Sequence, residues 1–271
     1  MLLKPLWHSD LKALHALSAA VGWPHREQDW SLFLSLGEGL AACVPDGAIL
    51  GTAMRWRWSP ACATIGMVLV APSQQGKGLG RRLMQTLLDA DPNLAVMLNA
   101  TEAGLGLYER LGFRPIGMVC QHQGVIATPP QDPALRPVRA ADMSGLVALD
   151  AAAFGASRAP LIERLMAEGE IRVIERGSKL RGFAVRRPFG RGEAVGPLVA
   201  ENEDDAIMLV AAVMRRGFLR IDIPVEAKAL AAWLTRAGLL PVDSVTVMTR
   251  GAWPKSSANV CRFALASQAL G

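Results

Sequence analysis

The chain is written twice, and that limits its fold more than any other feature. "PLWHSDLKALHAL" from Pro5 matches "PVRAADMSGLVAL" from Pro137, pairing Asp10 with Asp142, Leu14 with Leu146 and Leu17 with Leu149 at an offset of 132. "GTAMR" from Gly51 then matches "GFAVR" from Gly182 at 131. Gly66 of "IGMVLVA" matches Gly196 of "VGPLVA" at 130, and Gly112 of "LGFRP" matches Gly238 of "AGLLP" at 126. Four matches in order, with a steadily shrinking offset, are the pattern that two copies of one fold leave after small loop deletions. Between the copies, "TPPQDPALRP" places four prolines among polar residues and reads as a linker. The 271 residues therefore divide into a front domain (1–127), a linker (128–136) and a rear domain (137–271).

In the front copy the pattern predicts a strand over Leu3–Trp7, a helix from about Asp10 to Val21 capped by Ser9, and a second short helix after "WPHREQDW". Two β runs, Gly39–Val44 and Ala48–Trp58, flank the turn signal "PDG", and a third, apolar run covers Ala61–Val70. A helix at Leu79–Asp89, a strand at Ala95–Asn99, a helix at Glu102–Leu111 and two closing strands complete the copy. The expected class is α+β, with mostly antiparallel strands and a late β-loop-α crossover.

Composition narrows the function. Hydrophobic residues make up 51% and charged residues 20%, as in soluble globular proteins. "MLLKPLW" is too short and too broken for a signal peptide and no later segment nears 18 apolar residues, so the expected location is cytoplasmic, away from membranes. Cys43, Cys62, Cys120 and Cys261 form no zinc pattern with His8, His15, His25 and His122, so no metal is expected. Residues 1–133 carry 10 cations and 10 anions, while residues 134–271 carry 19 and 14. Without aromatic interleaving or a recognition helix, that basic excess reads as solvated surface and not as a nucleic-acid site.

"SQQGKGLGRRL" stands where the apolar strand meets the Leu79 helix. A helix start leaves backbone N–H groups unpaired and adds positive potential, which suits an anion. Gly76, Gly78 and Gly80 let a ligand approach the backbone, and Lys77, Arg81 and Arg82 add charge, so the expected guest is a phosphate or pyrophosphate. The Walker pattern fails because Gly78 follows Lys77, and G-x-G-x-x-G fails because position 81 is Arg.

The elbow does fit Q/R-x-x-G-x-G through Gln75, Gly78 and Gly80, and so resembles the coenzyme A pyrophosphate loop of the GCN5-related N-acetyltransferase (GNAT) superfamily. "TEAGLGLYERLGFRP", 101–115, resembles that superfamily's later motif through Gly104, Tyr108, Gly112 and Phe113, with Thr101 where Asn is usual. The specific motifs cover residues 1–127, and the rear half joins through the repeat, implying two tandem GNAT-like domains. By resemblance, Val68, Leu69 and Val70 pair with the pantetheine of acetyl-CoA, and Gln75, Gly76, Lys77, Gly78, Leu79, Gly80 and Arg81 hold its pyrophosphate, with Thr101 a further contact. The implied reaction is direct attack of a small-molecule amine on the thioester, with Tyr108 protonating the departing thiolate. The resemblance also implies that Trp23, His25 and Trp30 fall on the acceptor side. No general base stands out among His25, Glu27 and Glu38, and Cys43, Cys62 and Cys120 lack a visible activating partner for a covalent route.

At an offset of 130 the rear half places Asp205 opposite Gln75, Met208 opposite Gly78 and Val210 opposite Gly80; at 126 it places Leu234 opposite Tyr108. Carboxylates and bulky side chains there repel a pyrophosphate, so the rear copy is expected to be degenerate and cofactor-free. Two alternatives stay open: a non-catalytic acyl-CoA sensor, and a tandem transferase of the mycothiol synthase or peptidoglycan aminoacyl-transferase type.

Overall fold

The computed structural model describes residues 1–257 and 259–271. The front half runs β1 (Leu2–Pro5), α1 (Leu11–Ala20), α2 (Glu27–Leu36), β2 (Glu38–Cys43), β3 (Ile49–Arg57), β4 (Cys62–Val70), α3 (Leu79–Asp89), β5 (Ala95–Ala100), α4 (Glu102–Arg110) and β6 (Arg114–Ile126). The rear half runs α5 (Met143–Phe154), α6 (Ala159–Glu168), β7 (Glu170–Arg176), β8 (Lys179–Phe189), β9 (Gly192–Ala200), α7 (Glu203–Val213), β10 (Gly217–Pro224), α8 (Lys228–Arg236), β11 (Leu240–Arg250) and β12 (Cys261–Ala264).

The repeat is visible in local geometry. Asp10 accepts the Trp7 N–H (3.0 Å) and Asp142 accepts the Arg139 N–H (2.7 Å), closing the same short 3-10 turn before α1 and α5. Asp10, not the expected Ser9, is thus the N-cap of α1. After α4 and α8, Phe113 N–H donates to Tyr108 O (3.0 Å) and Leu239 N–H to Leu234 O (2.9 Å), each past a left-handed glycine, Gly112 or Gly238.

All strands share one sheet in the order β1-β2-β3-β4-β5-β11-β6-β10-β9-β8-β7, with β12 on β9. The halves exchange their last long strands. β11 of the rear half lies between β5 and β6, while β6 of the front half lies between β11 and β10. The front copy therefore closes with one 13-residue strand and not the expected two. Arg114–Ile126 carries no turn signal strong enough to fold back on itself, and both its edges find partners outside its own half.

Buried clusters fill both faces of the sheet. One joins Leu14, Trp30, Phe33 and Trp56 of the front half to Leu146, Phe183 and Leu270 of the rear. Its indoles are satisfied, Trp56 Nε1 donating to Phe33 O at 2.9 Å and Trp58 Nε1 to Thr64 Oγ1 at 3.0 Å.

Candidate active site

β4 and β5 pair in parallel for three positions, from Cys62↔Ala95 to Thr64↔Met97, and then part. The divergence follows a bulge in β4: Thr52 pairs with Leu69 but Met54 pairs with Gly66, and Met67 inside the bulge has φ +51°. Thr52 Oγ1 donates to Met67 O at 2.8 Å and holds the bulge shut from the β3 side. Val68 in the bulge, with Leu69 and Val70 beyond it, lines an open cavity of about 500 Å³.

The elbow lies at the end of this edge. Gly78 is the N-cap of α3 at φ +79°, and no side chain caps the helix, so its first N–H groups remain available. Gln75 and Gly80 line the cavity, and Gln75 Nε2 donates to Val70 O (3.1 Å), tying elbow to strand. Gly76 turns the chain at φ +74°. Lys77 Nζ is engaged with Ser73 O at 2.8 Å, Arg81 is exposed, and Arg82 Nη1 reaches Met1 O at 3.0 Å. Leu79 buries its side chain in the core, leaving its backbone to the elbow.

Tyr108 and Thr101 line the same cavity from α4 and its N-cap. A Cβ at Gly104, were one present, would stand 2.8 Å from Tyr108 Cε2, which explains the small residue at that motif position. Burial pushes the Tyr108 phenol up to about 12, so it keeps its proton at neutral pH.

Trp23 and His25 line the far side of the cavity, but Trp30 does not. Trp30 is fully buried with Nε1 donating to Ser18 Oγ (2.9 Å), because the helical period of α2 turns it inward behind His25. The His25 ring is held edge-on by Trp23 (5.6 Å), Phe33 (5.7 Å) and Phe189 (5.7 Å). Burial first, and then the nearby Arg220 and Arg187 guanidiniums, lower it to about 4 against the pull of Asp29, so the imidazole is neutral. Neither Glu27 nor Glu38 lines the cavity, and Glu38 pairs with Arg55. Burial raises the thiols of Cys43, Cys62 and Cys120, so none is activated as a thiolate. Among the described residues no cluster suits a metal ion and no helix is long and apolar enough to cross a membrane.

Gln121 and Gln123 on β6 add to the wall, and the rear half supplies a further part of it that escaped the sequence reading: Phe189 and Arg191 at the β8–β9 turn, Phe218 and Arg220 on β10, Asp243 on β11, and Ser267–Ala269. Strand exchange brings Asp243 of β11 there and sets β10 beside β6, and no local pattern announces it.

The rear half repeats the divergence but closes it. β9 and β10 pair from Glu193↔Leu219 to Val195↔Ile221 and part. Leu198, Val199 and Ala200, at offset 130 from Val68, Leu69 and Val70, are covered by β12 through Leu198↔Ala264, Val199↔Arg262 and Ala200↔Cys261. The strand-to-helix link is also short. Only Glu201 and Asn202 join β9 to α7, against residues 71–78 in front. The 130 register therefore fails at this point. The helix starts align at 124, Leu79 with Glu203 and Gly78 with Asn202, while Met208 and Val210 lie inside α7. The elbow has been deleted, not substituted. Asn202 Oδ1 accepts the Asp205 N–H (2.9 Å) and Glu203, Asp204 and Asp205 fill the first turn, so this helix start is capped and acidic.

After β12 the chain crosses both repeats. A Cβ at Gly196 would meet Leu265 O at 1.8 Å, and one at the equivalent Gly66 would meet Ala269 Cα at 2.9 Å. Arg158, fully buried and paired with Asp150, donates to Leu270 O at 3.0 Å and anchors the segment.

Comparison with known proteins agrees with this geometry. Models of the acetyltransferase (GNAT) domain match residues 29–131 and 146–260. The uncharacterized N-acetyltransferase YitH of Bacillus subtilis is 30% identical over 98% of this chain and 97% of its own. Among solved structures, a candidate acetyltransferase of Pyrococcus horikoshii superposes with a TM-score of 0.83 at 19% identity, covering 100% of this chain and 95% of that one. A tandem GNAT protein from the clavulanic acid biosynthesis pathway superposes with a TM-score of 0.68 at 15% identity, covering 94% and 99%.

Proposed function

Because the chain belongs to the GNAT acetyltransferase family, with two such domains in tandem, we propose that its front half transfers an acetyl group from acetyl-CoA to the amine of a small cytoplasmic molecule. The observation that carries this reading is the pairing of an unpartnered β4 edge with an uncapped α3 start in one cavity.

The site suits the cofactor: Val68–Val70 offer backbone groups to an extended amide chain, and the elbow from Gln75 to Arg81 offers N–H groups and positive charge to a pyrophosphate. Bound acetyl-CoA supplies the acyl group as a thioester. Tyr108 holds a proton on its phenol oxygen through the neutral range and, in this reading, delivers it to the leaving thiolate, while the proton shed by the attacking nitrogen passes to solvent. His25, neutral in its aromatic cage, adds no positive charge to repel a cationic acceptor as it enters. The rear half contributes the acceptor wall and no second cofactor site.

The test is thiol release from acetyl-CoA with a panel of amines, amino acids, aminosugars and polyamines. Turnover with at least one of them supports the reading. Tight acetyl-CoA binding without turnover would leave an acyl-CoA sensor.

A further inference from the structure

We propose that Asn99 receives the attacking amine, its side-chain oxygen accepting an amine N–H, and that the segment after β12 sets the amide in the orientation this requires. The inference rests on the acetyl-transfer reading above and names the group that meets the acceptor.

Asn99 lies on β5 two residues beyond Met97, the last position paired with β4, and so at the mouth of the divergence. It lines the cavity shared by the β4 edge, Tyr108 and the rear-half wall. Its Nδ2 donates to Gln268 O at 2.8 Å. A backbone carbonyl can only accept, so this contact fixes which end of the amide is which. Oδ1 is then left buried with no partner in the protein. Buried acceptors without partners are uncommon in folded proteins, and one carried by a residue that lines a cavity points to a donor on the ligand.

The chemistry favours an amine. A nucleophilic nitrogen must arrive neutral, with its lone pair free. A carboxylate at this place stabilises the ammonium form and raises the acceptor's pKa. A neutral amide oxygen takes one N–H without that penalty and leaves the lone pair free to turn toward the β4 edge. Among the described residues the carboxylate lining the cavity is Asp243, on β11, beside the cations Arg191 and Arg220 and the neutral His25, and neither Glu27 nor Glu38 takes part. Gln268 belongs to the rear half, so the reactive end of the front site is oriented by its degenerate partner.

The experiment offers glucosamine, spermidine and each of the twenty amino acids as probes with acetyl-CoA, and compares the wild type with Asn99→Ala and Asn99→Asp. Asn99→Ala should lower kcat/KM for the wild type's best probe by on the order of tenfold to a hundredfold, with acetyl-CoA affinity by calorimetry unchanged. Asn99→Asp should move the rising limb of the pH–rate profile to higher pH, because its carboxylate holds the amine protonated. A twofold or smaller effect in Asn99→Ala, an unmoved profile in Asn99→Asp, or a parallel loss of acetyl-CoA affinity in both variants would overturn the proposal. If the wild type binds acetyl-CoA but turns over no probe, the transferase reading itself fails and takes this one with it.

Discussion

The two strand-to-helix junctions hold equivalent places in the repeat and are built in opposite ways. In front, residues 71–78 loop out between β4 and α3, the helix start is uncapped, and the neighbouring edge is open. Behind, Glu201 and Asn202 connect β9 to α7 directly, Asn202 caps the helix, and β12 lies along the edge. The sheet divergence survives in both. On the proposed reading, ligand capacity resides in the loop length and in what covers the edge, and not in the divergence itself. In the rear half Asn202 and β12 take up backbone groups of the kind that the front half leaves without a protein partner.

The largest expected effect comes from loosening the segment that closes the rear half. Asp150 and Arg158 are both fully buried, and Arg262 beside them is pushed down to about 10 by burial and by Arg158. Asp150→Ala removes the carboxylate that compensates these guanidiniums and should cost about 3–5 kcal/mol of stability in urea unfolding. A loss below about 1 kcal/mol would show that the segment is not held this way.

Next is the cage that both halves build around His25. Its folded value of about 4 lies below the 6.5 of the free side chain, so its contribution is fully present above pH 6.5 and is lost as pH falls toward 4. The shift corresponds to roughly 3 kcal/mol. His25→Phe should flatten the fall in unfolding free energy between pH 6.5 and 4, and an unchanged slope would contradict the cage.

Tyr108 against Leu234 sharpens the comparison at the chemical step. Tyr108→Phe should lower kcat about 100-fold with little change in acetyl-CoA affinity. The wild-type rate should show no loss from this phenol below about pH 10, since its deprotonation is centred near 12. Leu234→Tyr, in the closed half, should add no second activity.

Much of this was legible in the residues. The matched Asp10 and Asp142 turns, and the Gly112 and Gly238 helix ends, follow from short-range hydrogen bonds that leave a mark in sequence. The elbow was readable because positive-φ glycines at 76 and 78 have few alternatives. The exchange of β6 and β11 was not, because a strand's pattern says how it pairs and not with which half. The rear register slipped for a readable reason: Asn202 before three carboxylates is a helix start, but a constant offset overrode it. The path of residues 261–271 was invisible, since nothing local says which open edge an apolar strand will cover.

The most direct measurement is calorimetric titration of acetyl-CoA into the wild type, Gly78→Val and Met208→Ala. Gly78 sits at φ +79°, where a β-branched residue is strained and projects a side chain toward the elbow, whereas Met208 lies on the outer face of the rear helix. One site per chain, weakened on the order of 100-fold or more in Gly78→Val and intact in Met208→Ala, is the expected result. Two sites per chain, or full affinity in Gly78→Val, would contradict it.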